Sequence, residues 1–123
     1  MDLQNEYYQI TEWKQQDDTC CFHIQINKNS VVFDGHFPGN PVCPGACGMS
    51  VIRNCTEIVT HSRLSISHIR QCRFPAPAVP RQVNDLSVVL SVTDAGEEVH
   101  VDARMADQDA TYITFKGTLK KIG

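Results

Sequence analysis

The residues best arranged for chemistry lie in one eleven-residue stretch, Gly35-His36-Phe37-Pro38-Gly39-Asn40-Pro41-Val42-Cys43-Pro44-Gly45, where a single histidine stands among three prolines and three glycines. Each proline fixes φ near about −65°, so the backbone path around His36 is narrowly specified. A rigid loop carrying an imidazole suits general-base chemistry, which needs its proton acceptor aimed at one bond. Directly after it, Ala46 to Ser62 contains no proline and carries apolar Met49, Ile52, Cys55, Ile58 and Val59 at spacings of three and four, which predicts a helix. The loop therefore delivers His36 to a helix N-terminus, whose backbone N–H groups and positive dipole end stabilise an oxyanion. An imidazole beside an anion-stabilising helix end fits proton abstraction next to a carbonyl.

The rest of the chain reads as strand. Tyr7 to Gln15 is rich in β-forming residues, and Cys21 to Asn27 alternates Phe22, Ile24 and Ile26 with His23 and Gln25, a half-buried strand. Asn27 to Ser30 reads as a turn and Val31 to Phe33 as a short strand before the histidine loop. Beyond the helix, Leu64 and Ile66 open a strand running toward Phe74, where Pro75, Pro77 and Pro80 demand an edge, a bulge or a crossover. Asp85 to Thr93 and Glu98 to Met105 flank Asp94-Ala95-Gly96-Glu97 as a hairpin, and Thr111 to Lys121 closes the chain. One long helix among five to seven strands predicts an α+β domain covering residues 1–123, a curved antiparallel sheet wrapped around a central helix. An open sheet edge invites a dimer that extends the sheet.

Composition narrows the functional classes. With 11 basic and 14 acidic residues among 123, the formal charge of −3 favours neither nucleic acid nor an anionic membrane. No export signal and no apolar run of membrane-spanning length is visible, so a cytoplasmic protein is expected. Cys20, Cys21, Cys43, Cys47, Cys55 and Cys72 are accordingly read as thiols. Cys43 and Cys47 near His36 form a poor zinc pattern, and no metal is assigned. His23, His61, His68 and His100 lack an acidic partner at a diagnostic spacing and receive no role.

The motif from Gly35 to Gly45 resembles that of the 3-hydroxyacyl-acyl-carrier-protein dehydratases, the FabA/FabZ-like group with the hotdog fold, whose pattern is G-H-F-P-G-x-P-V-M-P-G. Arg73-Phe74-Pro75-Ala76-Pro77-Ala78-Val79-Pro80 is similar to a second family stretch, with Arg81 where the family has glycine, so the likeness covers roughly residues 20 to 121. The resemblance implies that His36 removes the α-proton of an acyl thioester, that the carbonyl of Val42 holds its ring, and that the amide of Gly45 meets the thioester oxygen. The family's helix acid, contributed by the second subunit fourteen residues after the histidine, falls at Ser50, which does not ionise near neutral pH. Glu57, two turns further on, and Asp34, just before the motif, are the nearby carboxylates, and neither sits at the family's position.

What this implies is dehydration of a 3-hydroxyacyl chain, carried on the phosphopantetheine of an acyl carrier protein, to a trans-2-enoyl thioester in fatty-acid or related acyl-chain synthesis, with no metal or redox cofactor. Phe37, Pro38, Gly39, Val42, Cys43 and Cys47 are the expected substrate-binding residues. From Ile58 to Asn84 no Asp or Glu occurs, while Arg63, Arg70, Arg73 and Arg81 all do, a basic stretch suited to an acidic carrier protein. The expected assembly is a homodimer, a higher homo-oligomer, or a mixed dimer with a paralogue. Two rival readings stay open: a non-catalytic carrier-binding subunit paired with an active paralogue, and a hotdog acyl thioesterase.

Overall fold

The computed structural model describes residues 4–27, 29–30, 45–78 and 85–122. Six strands and one helix follow in the order β1 (Tyr8–Gln16), β2 (Thr19–Ile26), α1 (Gly45–Thr60), β3 (Leu64–Arg73), β4 (Asp85–Asp94), β5 (Glu98–Ala106) and β6 (Thr111–Lys121). They form one curved antiparallel sheet of order β1-β2-β4-β5-β6-β3 against which α1 packs, the expected α+β hotdog architecture. The expected Val31 to Phe33 strand lies outside the described residues.

Side-chain alternation decides which face of the sheet is covered. In β2, Cys20, Phe22, Ile24 and Ile26 are buried while Thr19, His23 and Gln25 are exposed; in β5, Val99, Val101, Ala103 and Met105 are buried and alternate with exposed Glu98, His100, Asp102 and Arg104. The helix sets Val51, Ile52 and Cys55 onto this apolar face. Its one fully buried hydroxyl, on Thr56, donates to the Ile52 carbonyl at 2.8 Å, so the helix strands no hydroxyl in the core.

Both ends of α1 are set by local chemistry. The helix stops at Thr60, two residues before the end of the predicted run, because His61 turns into the left-handed region at φ 53°. Glu57 then ties the helix to the next strand: one carboxylate oxygen accepts from Leu64 N at 2.9 Å, the other from Arg53 at 3.0 Å. At the other end Gly48 lets the helix approach β6, since a Cβ there would drive into Ile113 Cδ1.

A second glycine has a measurable consequence. Gly117 of β6 pairs with Ile69 and Val101, and a Cβ on it would lie 2.5 Å from the His68 carbonyl oxygen and 2.9 Å from the Phe115 ring. Because that oxygen is backbone, it has no rotamer by which to yield. Gly117→Ala is expected to cost about 1–3 kcal/mol as an overpacked site, read as a lower denaturant midpoint at unchanged slope.

The two sheet edges are β1 and β3. Ser67 and Arg70 are the extra residues of two bulges in β3, and Ser67 to Arg70 are exposed. Prolines 75 and 77 follow at its end, consistent with the edge position those residues demanded.

Candidate functional site

The sheet and the start of α1 part at one end of the molecule and leave a cavity of about 380 Å³, within the range of small-molecule sites. Gly45 and Gly48 form its helical wall. Phe74, Ala76, Pro77 and Ala78, leaving β3, form a second; Tyr7, Ile26 and Leu86 close the side toward β1, and Met105, Tyr112 and Ile113 the side toward β5 and β6. The helix begins Gly-Ala-Cys-Gly, and the bare positions 45 and 48 let the Phe74 ring and Ile113 Cδ1 close against it as neighbouring walls of the chamber. Phe74 packs its ring over Gly45, where a Cβ would approach it to 2.8 Å.

Electrostatically, this is an apolar chamber with one polarised end. The first helical turn carries no acidic residue, so no side chain of that turn offsets the positive end of the helix dipole. The backbone N–H groups of that turn have no acceptor within the helix and are the natural donors toward an anionic oxygen.

The hydroxyl of the wall residue Tyr112 donates to Asp107 Oδ2 at 2.7 Å, and Asp107 Oδ1 accepts from the amides of Asp109 and Ala110 at 2.8 and 2.9 Å. The tyrosine hydrogen bond above all, with those amides, holds the Asp107 carboxyl below its ordinary value of 3.8 although partial burial opposes it. A depressed folded-state pKa adds stability that is present above about pH 4 and fades as pH falls through the lowered value. Asp107→Asn should therefore be less stable than the parent at neutral pH, with the difference in Tm shrinking as the pH is lowered below 4.

The candidate residues divide sharply. His36, Phe37, Pro38, Gly39, Val42, Cys43 and Arg81, together with Asp34, lie outside the described residues. Gly45 stands in the cavity wall. Cys47 and Ser50 do not: Cys47 packs partly buried against the core, and Ser50, five positions after Gly45, is turned about 140° around the helix from it. Burial pushes the Cys47 thiol up and that of Cys55 up to about 12, so both are protonated thiols at neutral pH. All five described cysteines are free, as expected.

The basic stretch is less compact in space than in sequence. Arg63, Arg70 and Arg73 are all exposed, but Arg63 precedes β3 and Arg73 ends it, so ten residues of strand hold them roughly 30 Å apart. Arg73 adjoins Phe74 at the cavity, whereas Arg63 lies beyond the far end of the helix. Glu57 is engaged by Arg53 and Leu64 N at that far end too. Tyr7, Tyr112 and Asp107 carried no assignment from sequence; turn chemistry at Asp107-x-Asp109-Ala110 was a local signal for Asp107 alone. Among the described residues, no helix is long and apolar enough to cross a membrane.

Comparison with known proteins places this geometry. Among solved structures, the dehydratase heterocomplex ApeI:P from Xenorhabdus doucetiae contains a chain that is 18% identical and superposes with a TM-score of 0.73, over 91% of this chain and 96% of that one. The dehydratase domain from the CurJ module of curacin polyketide synthase is 18% identical with a TM-score of 0.61, over 93% of this chain but 42% of that one. An apo-hexameric acyl-CoA thioesterase is 14% identical with a TM-score of 0.55, over 86% and 70%. At these identities the likenesses establish the hotdog fold. No curated protein matches the sequence. The ApeI-like model, described as ApeI dehydratase, matches residues 12–116, nearly the whole chain, and on that match the protein belongs to the ApeI-like dehydratase family.

Proposed function

We propose that this protein takes part in the dehydration of a 3-hydroxyacyl thioester, presented on the phosphopantetheine arm of an acyl carrier protein, to the trans-2-enoyl thioester. The observation that carries the reading is that Gly45, the last residue of the histidine motif, is also the first residue of α1 and a wall of the apolar cavity. The chamber suits an acyl chain, and the helix amides suit the oxygen of an enolate. In this scheme His36 takes the C2 proton, the electron pair forms the C2=C3 bond, and the C3 hydroxyl leaves as water with a proton returned to it. The Gly45 N–H holds the thioester oxygen, and the resemblance assigns Phe37, Pro38, Gly39, Val42 and Cys43 to substrate binding. In this scheme Arg70 and Arg73, the latter next to Phe74 of the cavity, help to receive the acidic carrier, and the sequence assigns Arg81 to the same task.

The departing hydroxyl needs an acid, and Ser50 does not supply one on its own. Its position away from the chain's own cavity suits a residue that acts across a dimer interface. One such assembly is a homodimer in which Ser50 orients a water. A mixed dimer, whose other chain brings the carboxylate, is favoured by one observation: the ApeI:P structure is described as a dehydratase heterocomplex.

The test is to incubate the protein with 3-hydroxyacyl carrier protein, alone and with a second hotdog chain from the same genome, and to weigh the acyl group by mass spectrometry. Loss of water in either arm is expected. Loss of the whole acyl group points to a thioesterase, and an unchanged substrate in both arms contradicts the proposal. If the second chain is required, Ser50→Glu is expected to raise the activity of the lone chain, because it restores an ionisable group at the family's position.

A further inference from the structure

Resting on that reading of the cavity, we infer that Tyr112, held in place by Asp107, is a specificity-determining residue that limits the bulk of the acyl group the chamber accepts. Between β5 and β6, Met105 pairs with Ile113 and Ala106 pairs with Thr111, so two residues of β6 stand against one step of β5 and Tyr112 is the extra one. Adjacent residues of a regular strand point to opposite faces. The bulge breaks that rule: both Tyr112 and Ile113 are buried and both line the cavity. A bulge that re-aims one side chain into a chamber is a shaped feature of the site.

The ring is also fixed from behind. Its hydroxyl donates to Asp107 at 2.7 Å, and Asp107 is itself clamped by the amides of Asp109 and Ala110, so the tether runs into the rigid turn between β5 and β6. A phenol whose proton is given to an ionised carboxylate is poorly placed to protonate a leaving hydroxyl, which argues for a wall and against the missing acid. Between Ile113, which abuts Gly48, and Met105, the tethered ring occupies volume that an acyl chain would otherwise enter. Apolar pockets discriminate by about tenfold or more per methylene that does or does not fit, so one fixed ring is enough to set a preference.

The test measures binding, so that it stands apart from catalysis. Non-reactive amide analogues of 3-hydroxyacyl thioesters, a short linear one and a longer or branched one, are titrated calorimetrically into the protein in its active assembly. For Tyr112→Ala the ratio of affinities is expected to move about tenfold toward the bulkier analogue, and for Tyr112→Phe, which keeps the ring and removes its hydrogen bond to Asp107, a smaller shift in the same direction. Thermal melts of both variants establish that they are folded, and Tyr112→Phe, nearly isosteric, serves where the alanine variant does not fold. Equal weakening for both analogues, or an unchanged ratio, overturns the inference, as does failure of the parent protein to bind either amide. If the ratio shifts as expected and the protein still dehydrates nothing, the proposed reaction fails and the role of Tyr112 stands.

Discussion

Replacing His36 with alanine is expected to lower dehydration by about 10²–10⁴-fold while leaving the melting temperature within a few degrees of the parent. The argument starts from the substrate. The C2 proton of a thioester is weakly acidic, and a positioned base is the group that makes its removal fast. Glu57, the carboxylate two turns beyond Ser50, is spoken for, because its oxygens hold Arg53 and the Leu64 amide at the far end of the helix. Among the described cavity-lining residues there is no Asp, Glu, His, Lys or Cys. If the cavity is the reaction chamber, the base that the proposed scheme assigns to it is the histidine of the motif that precedes Gly45. A His36→Ala rate within twofold of the parent would remove the histidine from the mechanism.

The second large effect concerns the helix end. Gly45→Pro is expected to reduce the rate about 10²–10³-fold relative to Gly45→Ala, the loss associated with removing one oxyanion donor. The comparison is built to isolate the N–H. Gly45 is the first residue of α1, the position where proline is best tolerated, and both variants press a Cβ against the Phe74 ring by the same amount. Phe74 is half exposed and can swing aside, so the alanine variant is expected to fold and retain most of its activity. Alanine keeps the amide proton and proline lacks it. Equal rates in the two variants would show that the Gly45 amide makes no contact that matters in the transition state.

How far such a site can be read from sequence depends on whether the signal is local. Alternation of Phe22, Ile24 and Ile26 within Cys21 to Asn27 and the three-and-four spacing from Met49 to Val59 are local, and the strand (Thr19–Ile26) and helix lie within a residue or two of where those patterns put them. The end of the helix was missed by two residues because His61 offers no side-chain signature for the left-handed turn it makes. The wall at Tyr112 was invisible for a stronger reason. A bulge is a mismatch between two strands, and nothing in Thr111-Tyr112-Ile113 alone says which residue of β5 each will face. The basic stretch shows the opposite error: four arginines free of nearby acid look like one patch in a string of letters, and an extended strand then draws Arg63 and Arg73 apart. That Gly45 opens the helix was legible, because the motif ends where the proline-free apolar run begins. In the proposed scheme the role of Ser50 depends on a second chain, which no intrachain pattern encodes.

The central claim, that an imidazole at position 36 exchanges a proton with C2 of an acyl thioester, is tested most directly by running the reaction backward in D₂O. Hydration of a trans-2-enoyl carrier protein would place at C2 the deuteron carried by the imidazole and at C3 a hydroxyl from solvent. The expected result is a 3-hydroxyacyl product labelled at C2 with the parent protein in its active assembly, and no label above background with His36→Ala. C2 labelling at the same rate in both proteins would contradict the account.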